Sequence, residues 1–289
     1  LSLTQKASRF HNTSTTMISN FTSYLLAIRG YSPRTAEGYA KDCKAFAAWA
    51  KANIEDARWS MITRKDIDRY IMYRVENGIA PATTNRELAS ISALYRYFIR
   101  EGLMKTNPCR FQSRRKQADK LPNTIPSEDL RNAYEHSTGL VHVWIGLLAT
   151  TGIRISELLA LRWEDIDFKA SSLEIMGKGR KERIVYTSPE YLELLKQAYE
   201  RKPSEGRIFR YDQRDARYML WQALKPYSRA KQLSPHAIRH TYATNLATNG
   251  VNVTTIASIL GHNRIATTQK YIDMSQADTQ AAAAMQTLL

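Results

Sequence analysis

The chain has 289 residues, of which 43% are hydrophobic, so one or two domains with substantial cores are expected. Its 42 Lys and Arg residues against 27 Asp and Glu residues give a formal net charge of +15, which indicates a polyanionic partner, usually nucleic acid. Two cysteines argue against a disulfide framework or a cysteine metal cluster, and the longest apolar run, residues 140–149, is half of the ~20 residues that a membrane helix needs.

The positive charge is concentrated in the first part of the chain. Residues 1–124 contain 21 Lys and Arg against 10 Asp and Glu, whereas residues 125–289 contain 21 against 17. We interpret this regional excess as a footprint for a phosphate backbone rather than as an ordinary solvated surface. The expected partner is therefore nucleic acid, and no membrane partner is expected.

The chain begins with an irregular segment and a helix. Residues 1–16 are polar, rich in Ser and Thr and without clear periodicity, which predicts a flexible N-terminal arm. A first helix is expected over residues 17–29, ending at Gly30. A second helix has a strong start, because Ser32 suits the N-cap and Pro33 suits the first helical position.

Two more helices complete the first domain. Thr63 with Asp66 three residues later predicts the start of one, and Pro81 predicts the start of the next, which ends before Gly102. Apolar residues recur at spacings of three and four along these segments. We therefore expect an all-helical domain over residues 17–109.

A basic linker is expected over residues 110–124. It contains a proline, five Lys and Arg residues and little apolar periodicity. Such a linker suits a chain that wraps around a duplex, although an ordinary exposed tether would have the same composition. The residues expected to contact nucleic acid are Arg34, Arg86, Arg114, Arg115, Lys116 and Arg180.

The second domain, residues 125–289, is expected to mix helices with a small sheet. Strand-like residues 173–176 and 183–186 flank a turn at residues 177–179. A Ser-Pro pair at residues 234–235 repeats the helix start seen in the first domain. The other helices expected are a capped helix from Ser127, a core helix over residues 141–150 and a short helix over residues 156–161.

The last quarter of the chain groups side chains that suit a phosphodiester. On a helix starting at Pro235, the side chains of His236, Arg239 and His240 share one side, because residues three and four apart are neighbours. An arginine fork matches phosphate oxygens two at a time. Taken alone, each of these residues has an ordinary explanation as a surface charge or a packing histidine.

Zinc and nucleotide chemistry are not expected. His236 and His240 are spaced like two ligands of a metalloprotease helix, but that motif places Glu after the first His, where this chain has Ala237. His240 is instead expected to be a structural histidine that bonds a neighbouring loop. The Gly-Lys-Gly turn at residues 177–179 is not a phosphate-binding P-loop, so no cofactor and no metal are expected.

Two further residues complete a set that could attack a phosphate. A phenol has a pKa near ~10 and needs nearby cations and a proton acceptor before it attacks. Tyr271 lies nine residues after His262, in a chain whose tyrosines number 16, so its residue type alone says little. Lys178 lies between two glycines at the predicted turn, where a lysine could protonate a leaving oxygen.

In this order, the motifs resemble those of the tyrosine recombinase, or phage integrase, family. The helical first domain, with its start at residues 32–35, is similar to the core-binding domain of that family. The resemblance implies a mainly α fold with a small β-sheet: an all-helical N-terminal core-binding domain and an α+β catalytic domain. The segments that carry it in the second domain are residues 151–158, 177–183, 236–241, 260–262 and 267–271.

The resemblance implies a catalytic role for four residues. Tyr271 would be the nucleophile on the scissile phosphate of DNA. Arg154 and Arg239 would bind the non-bridging oxygens, and Lys178 would be the general acid for the 5′-hydroxyl leaving group. The product would be a covalent 3′-phosphotyrosine, and rejoining would need no cofactor.

Three more residues receive roles from the same resemblance. His236 would act in proton transfer and phosphate binding, and His262 would donate a hydrogen bond to the phosphate. Glu157 matches a position that supports the site without reacting. The enzyme implied is a site-specific recombinase that cleaves and rejoins DNA strands.

Assembly and setting also follow from the resemblance. The chain looks like the simple two-domain, Xer-like type or like recombinases of mobile elements, because only about 16 residues precede the first expected helix. It would act as a homotetramer on two duplexes of double-stranded DNA in a prokaryotic cytoplasm. Whether a second recombinase or an accessory DNA-bending protein takes part stays open. An apolar tail from about residue 275 would contact a neighbouring protomer, or pack on its own domain.

Two alternative functions remain at this point. A type IB topoisomerase shares the chemistry but relaxes supercoils as a monomer, without needing a particular sequence. A non-catalytic DNA-binding protein could keep the fold, although the six matching catalytic positions argue against it.

Overall fold

The computed structural model describes residues 3–110, 112, 115, 122–177, 182–198, 206–261 and 268–269, with side chains from residue 14 onwards. It divides the chain into two compact units, Leu1–Asp119 and Lys120–Leu289, and each is described by itself. Among the described residues, every helix is too short or too polar to cross a membrane.

The described part of the first unit contains four α-helices and a short 3-10 helix, Trp59–Met61. Ser32 caps the second of them, because its Oγ accepts a hydrogen bond from the backbone N–H of Thr35. Thr63 and Asp66 form a reciprocal capping box at the start of the third, which satisfies backbone groups that the helix itself leaves unpaired. These predicted starts are confirmed. The helices are α1 (Leu3–Ala27), α2 (Pro33–Asn53), α3 (Arg64–Glu76) and α4 (Pro81–Arg100).

An aromatic core fills the first unit. Phe46 of α2 is fully buried, and its ring centroid lies 5.1 Å from that of Tyr70 on α3 and 6.0 Å from that of Trp59. Tyr95 of α4 is also buried and donates a hydrogen bond to the carbonyl oxygen of Trp59 at 2.8 Å. Aromatic residues of α2, α3 and α4 therefore pack in one core.

Helix α1 begins earlier than the sequence predicts. A flexible arm was expected over residues 1–16, but the helix runs from Leu3 to Ala27 without a break. The prediction of an irregular segment was wrong because residues 3–16 contain neither Gly nor Pro. Ser and Thr weaken a helix only modestly, so a helix can extend through them.

The second unit combines helices with a three-stranded antiparallel sheet in the order β1-β2-β3. The predicted hairpin is confirmed, with Leu173 opposite Val185 and Ile175 opposite Arg183. β1, only two residues long, was not predicted. The strands are β1 (Ile166–Asp167), β2 (Ser172–Met176) and β3 (Glu182–Tyr186), and the described helices are α5 (Ser127–Glu135), α6 (Gly139–Thr151), α7 (Ile155–Leu158), α8 (Pro189–Ala198), α9 (Gln213–Leu224), α10 (Pro235–Thr248) and α11 (Val253–Leu260).

Helix α6 is the centre of this unit. Trp144, Ile145 and Leu147 are fully buried on different sides of it, as its apolar sequence predicted. It packs against α8 and α10, so its C-terminal end is held in the interior of the unit. Two predicted details differ: α5 starts at Ser127 without a side-chain cap, and the short helix that follows α6 is α7, not residues 156–161.

Most of the predicted linker, residues 110–124, lies outside the described residues. Of its described members, Gln112 donates a hydrogen bond from Nε2 to Asp68 Oδ1 at 2.8 Å. The backbone N–H of Arg115 donates to Asn85 Oδ1 at 2.9 Å. These two residues are therefore bonded to helices of the first unit, and the limits of the domains and the linker stay predictions.

Candidate active site

A tight turn at the end of α6 places Arg154 in the candidate site. Gly152 ends the helix in the left-handed conformation, with φ of 63°. A Cβ atom there would lie 2.4 Å from Cδ1 of Tyr242, so both the backbone and the space require glycine. Arg154 follows as the N-cap residue of α7, with its side chain 34% exposed.

Glu157 holds Arg154 in place from one turn further on. Its Oε2 accepts a hydrogen bond from the backbone N–H of Arg154, and its Oε1 accepts one from Arg154 Nη1, both at 2.8 Å. Burial would raise the pKa of this carboxyl, but hydrogen bonds from Arg183 and Arg154 outweigh burial and keep its pKa below the usual range. The anionic carboxylate therefore orients Arg154.

Arg183 is the second arginine on this carboxylate, and we assigned no role to it from the sequence. It donates from Nη2 to Glu157 Oε2 at 2.7 Å and from Nη1 to Oε1 at 3.2 Å. The sequence did contain a signal. Arg183 lies two residues before Val185 in a predicted strand, so the two side chains share the inward side. A charged residue in such a position needs a partner.

Arg239 is almost fully buried, with 1% of its surface exposed. The Ser-Pro start of α10 is confirmed, since Ser234 Oγ accepts a hydrogen bond from the backbone N–H of Ala237. One turn later, Arg239 donates from Nη1 to the carbonyl oxygen of Gly152 at 2.7 Å. Arg239 is thus bonded to the turn that delivers Arg154.

Three arginines, Arg154, Arg183 and Arg239, donate hydrogen bonds to the end of α11. The last carbonyls of a helix have no partner within the helix and carry partial negative charge, so they attract cations. Here three consecutive carbonyl oxygens each accept a hydrogen bond from a different arginine. The bonds run from Arg183 Nε to Ile259 O (2.8 Å), from Arg239 Nη2 to Leu260 O (2.5 Å) and from Arg154 Nη2 to Gly261 O (3.5 Å).

Two histidines lie beside these arginines on α10. The rings of His236 and His240 meet edge to face with centroids 4.5 Å apart. Desolvation, followed by the charges of Arg239, Arg154 and Arg217, lowers the pKa of His236. Burial, followed by the charges of His236 and Arg239, lowers the pKa of His240 to about 4. A neutral His236 can accept a proton.

Helix α9 contributes a basic aromatic face that was also missed. Arg217 lies close enough to His236 to act on its pKa. The rings of Tyr218 and Trp221 stack with centroids 6.0 Å apart, and Lys225 Nζ lies 4.6 Å from the centre of the Trp221 ring. The signal was the spacing of three and four between these basic and aromatic residues, which puts them on one side of a helix.

The structure thus brings together four of the seven predicted site residues: Arg154, Glu157, His236 and Arg239. The other three, Lys178, His262 and Tyr271, lie outside the described residues. Within the described part of the chain, no group of three or more His, Cys, Asp or Glu side chains could hold a metal ion.

The predicted DNA contacts fall into three groups. Arg34 is exposed at the start of α2, and Arg86 on α4 is 55% exposed, with its Nη2 2.9 Å from Oδ1 of buried Asp42. Arg115 is instead turned to the first unit, where its Nη1 donates to the carbonyl oxygen of Ile79 at 3.1 Å. The remaining three lie outside the described residues: Arg114, Lys116 and Arg180.

Comparison with known proteins identifies the family. A family model described as "Phage integrase family" matches residues 115–278, which is more than half of the chain. The chain belongs to this family. A second model, "Phage integrase, N-terminal SAM-like domain", matches residues 18–102. The resemblance that we drew from the motifs is therefore confirmed.

Relatives of this phage integrase family member match it over nearly their whole length. Tyrosine recombinase XerD of Oceanobacillus iheyensis is 30% identical over 281 residues, which cover 90% of this chain and 94% of the relative. Tyrosine recombinase XerC of Pediococcus pentosaceus is 28% identical over 291 residues, which cover 91% of this chain and 95% of the relative.

Solved structures of a recombinase and an integrase share its fold. XerH site-specific recombinase in a post-cleavage complex with palindromic difH substrate matches with a TM-score of 0.75 at 18% identity, covering 98% of this chain and 95% of that one. A lambda integrase dimer bound to a COC′ core site matches with a TM-score of 0.70 at 19% identity, covering 89% and 94%. The predicted fold class, mainly α with a small sheet, is confirmed.

Proposed function

We propose that this chain is a site-specific DNA recombinase that cleaves and rejoins DNA strands through a covalent 3′-phosphotyrosyl intermediate. Similarity to XerC and XerD tyrosine recombinases over about nine tenths of the chain supports the activity. The main structural support for the site is that Arg154 and Arg239 both donate hydrogen bonds to carbonyl oxygens at the end of α11. His236, whose pKa is lowered, lies beside them.

The proposed cleavage step is a phosphoryl transfer. The phenol oxygen of Tyr271 attacks phosphorus and forms a new P–O bond, while the bond from phosphorus to the 5′ oxygen breaks. Lys178 gives a proton to that leaving oxygen, and neutral His236 takes the proton of the phenol. The phosphate remains a diester, so its energy is retained for rejoining.

Fixed cations lower the barrier of this step. Negative charge builds on the non-bridging oxygens of the phosphorus in the transition state, and preorganised arginines stabilise it there. Arg154 and Arg239 suit this role because protein acceptors already orient their guanidinium groups. In rejoining, a 5′-hydroxyl attacks the phosphotyrosine, and the same groups act in reverse.

The proposed partner is double-stranded DNA. The net charge of +15 supports it, as do exposed Arg34 and Arg86 in the first unit and the basic aromatic face of α9 in the second. Phosphate contacts from both units would fix the position of the chain on the duplex. We further propose residues 17–109 as a helical core DNA-binding domain and residues 125–289 as the catalytic domain, with residues 110–124 as a basic linker.

The proposed assembly is a homotetramer on two duplexes in a bacterial cytoplasm. Strand exchange requires four cleavages, one on each strand of two duplexes, and each cleavage consumes one tyrosine. The apolar composition of residues 281–289 supports a tail, from about residue 275, that contacts a neighbouring protomer. A second recombinase or an accessory DNA-bending protein would join this complex in some settings, including mobile elements.

Replacement of the proposed nucleophile tests the function. A duplex would first be selected by binding from a random library, and then nicked close to the cleavage site so that the released fragment cannot rejoin. We expect a covalent protein–DNA adduct that survives denaturant, formed without ATP or magnesium. Tyr271→Phe should reduce adduct formation at least ~1000-fold, because its ring has no oxygen to attack, and should leave the affinity for DNA unchanged.

A second tyrosine provides the control, and two results would contradict the proposal. Tyr186→Phe removes a phenol from a side chain that is 68% exposed on β3, and should react like the wild type. An adduct formed by Tyr271→Phe at the wild-type rate would refute the assignment. Relaxation of any plasmid, irrespective of sequence, would instead indicate a topoisomerase.

A further inference from the structure

The inward position of Arg183 on β3 is unusual for a charged side chain. Only 11% of the side chain is exposed, and the strand places it on the same side as buried Val185. Taking a guanidinium out of water is unfavourable unless good hydrogen bonds compensate, as for other buried ions. The contacts of Arg183 therefore need an explanation.

These contacts join three separate segments of the second unit. Nη1 and Nη2 form a fork on the carboxylate of Glu157, and Nε donates to the carbonyl oxygen of Ile259 near the end of α11. Gly261 leaves room for this arrangement, because a Cβ atom there would lie 3.2 Å from Nη1 of Arg183. β3, α7 and α11 thus meet at one side chain.

Glu157 shows what this junction supports. Its two oxygens accept four hydrogen bonds, two from Arg154 and two from Arg183, which matches the capacity of a carboxylate. The same carboxylate therefore links Arg154 to β3. Lys178 lies five residues before Arg183 in the sequence, between β2 and β3.

We propose that Arg183 is a positioning residue: it fastens the β2–β3 hairpin, which carries Lys178, to the Arg154–Glu157 pair and to the end of α11. The inference rests on the proposed function, in which Lys178 protonates the leaving 5′ oxygen. Arg183 itself does not touch the DNA. It sets the place from which the general acid reaches the scissile phosphate held by Arg154.

Lysine cannot replace arginine in this role. A lysine at position 183 keeps one positive charge for Glu157, but it has a single nitrogen instead of a fork with a third donor directed at Ile259. Arg183→Lys therefore preserves the charge and removes the connection between segments. A displacement of the acid by about 1 Å can cost ~100-fold in rate, so we expect a loss of tenfold to a hundredfold in cleavage.

A modified substrate tests the inference. In this duplex, sulfur replaces the bridging 5′ oxygen at the cleavage site, and sulfur leaves as a thiolate that needs no proton. Single-turnover rates of adduct formation would be measured on the oxygen and sulfur duplexes with enzyme in excess. Arg183→Lys should be slow on the oxygen duplex and within about threefold of the wild type on the sulfur duplex, and Lys178→Ala should behave in the same way.

Two controls separate this role from a loss of fold. Arg162→Lys changes an arginine of the same unit that is 54% exposed and paired with exposed Glu164, and it should match the wild type on both duplexes. The ratio of the two rates for each variant does not depend on how much of the protein is folded.

The contrary outcomes are distinguishable. Wild-type rates for Arg183→Lys on the oxygen duplex would overturn the inference. So would equal losses on both duplexes, provided that sulfur rescues Lys178→Ala, since a merely structural role predicts equal losses. Failure of sulfur to rescue Lys178→Ala would overturn the proposed role of Lys178, and this inference with it.

Discussion

At the scale of single residues, Arg239 marks the limit of what the sequence can reveal. Its place on one side of α10 with His236 followed from helical spacing, and this suggested phosphate binding. Its burial did not follow, because its acceptors are the backbone carbonyls of Gly152 and Leu260, which lie 87 and 21 positions away. A backbone carbonyl is present at every residue and leaves no mark in a sequence.

His240 gives the residue-scale prediction, which concerns pH. Its pKa is about 4 in the folded chain, against about 6.5 for an unfolded histidine. Between these values the unfolded chain binds a proton that the folded chain does not, so the free energy of unfolding should decrease as the pH falls from 7 towards 4. His240→Gln should show a smaller decrease between pH 7 and pH 5.

Urea unfolding at these two pH values measures the effect. The facing groups, His236 and Arg239, are the same in both proteins, and so are the carboxyl groups, so the difference between the two decreases reports His240. An equal decrease in the variant and the wild type would contradict the prediction.

At the scale of elements, helix starts with a side-chain cap were predictable and short elements were not. The caps at Ser32, Thr63 and Ser234 were confirmed because capping depends on residues only three positions apart. The β2–β3 pairing was confirmed because the two strands are also close together in the sequence. β1 has only two residues, which is too short for any periodicity. α1 extends to Leu3 through polar residues, where the absence of helix breakers decided against the expected arm.

Gly152 gives the prediction for elements. Gly152→Ala places a Cβ atom 2.4 Å from the Tyr242 ring and forces a left-handed conformation on alanine. We expect a loss of about 1–2 kcal/mol in the free energy of unfolding from the backbone, with ~1–3 kcal/mol more from the overlap. Cleavage should also decrease, because the carbonyl group of Gly152 orients Arg239.

Gly250 offers a matched control for this change. It also has a positive φ, of 76°, but a Cβ atom there would meet nothing within 4 Å. Gly250→Ala should therefore show the backbone loss alone, about 1–2 kcal/mol, and wild-type cleavage. Equal free energies of unfolding for the two variants would show that the contact with Tyr242 is relieved without cost.

At the scale of the whole molecule, periodicity and composition each contributed a separate prediction. The expected division into a helical part and a mixed part followed from the order of elements, and the excess of positive charge indicated nucleic acid before any motif was considered. Composition could not tell which arginines face solvent. Arg115 was placed with the DNA contacts, yet its Nη1 donates to Ile79 and Thr84 within the first unit.

The salt dependence of DNA binding gives the prediction at this scale. The logarithm of affinity should fall steeply and linearly with the logarithm of salt concentration, because each neutralised phosphate releases counterions. Arg34→Gln, at an exposed position, should reduce the slope by about 1. Arg115→Gln should instead lower the free energy of unfolding and leave the slope nearly unchanged. Fluorescence anisotropy on one duplex across a salt series measures the slopes, and a flat response would contradict this account.

The carbonyl oxygens at the end of α11 limit which substitutions can disturb this site. Peptide oxygens hold the three arginines there, and no substitution at Ile259 or Leu260 removes a peptide oxygen. Those two side chains can therefore change, within the limits of the core, while the acceptors persist. Gly261 is different, since its φ of 63° disfavours any other residue and a Cβ atom there would lie 3.2 Å from Nη1 of Arg183. The acceptors of these hydrogen bonds therefore persist when the side chains of Ile259 and Leu260 change, whereas replacement of an arginine removes a donor.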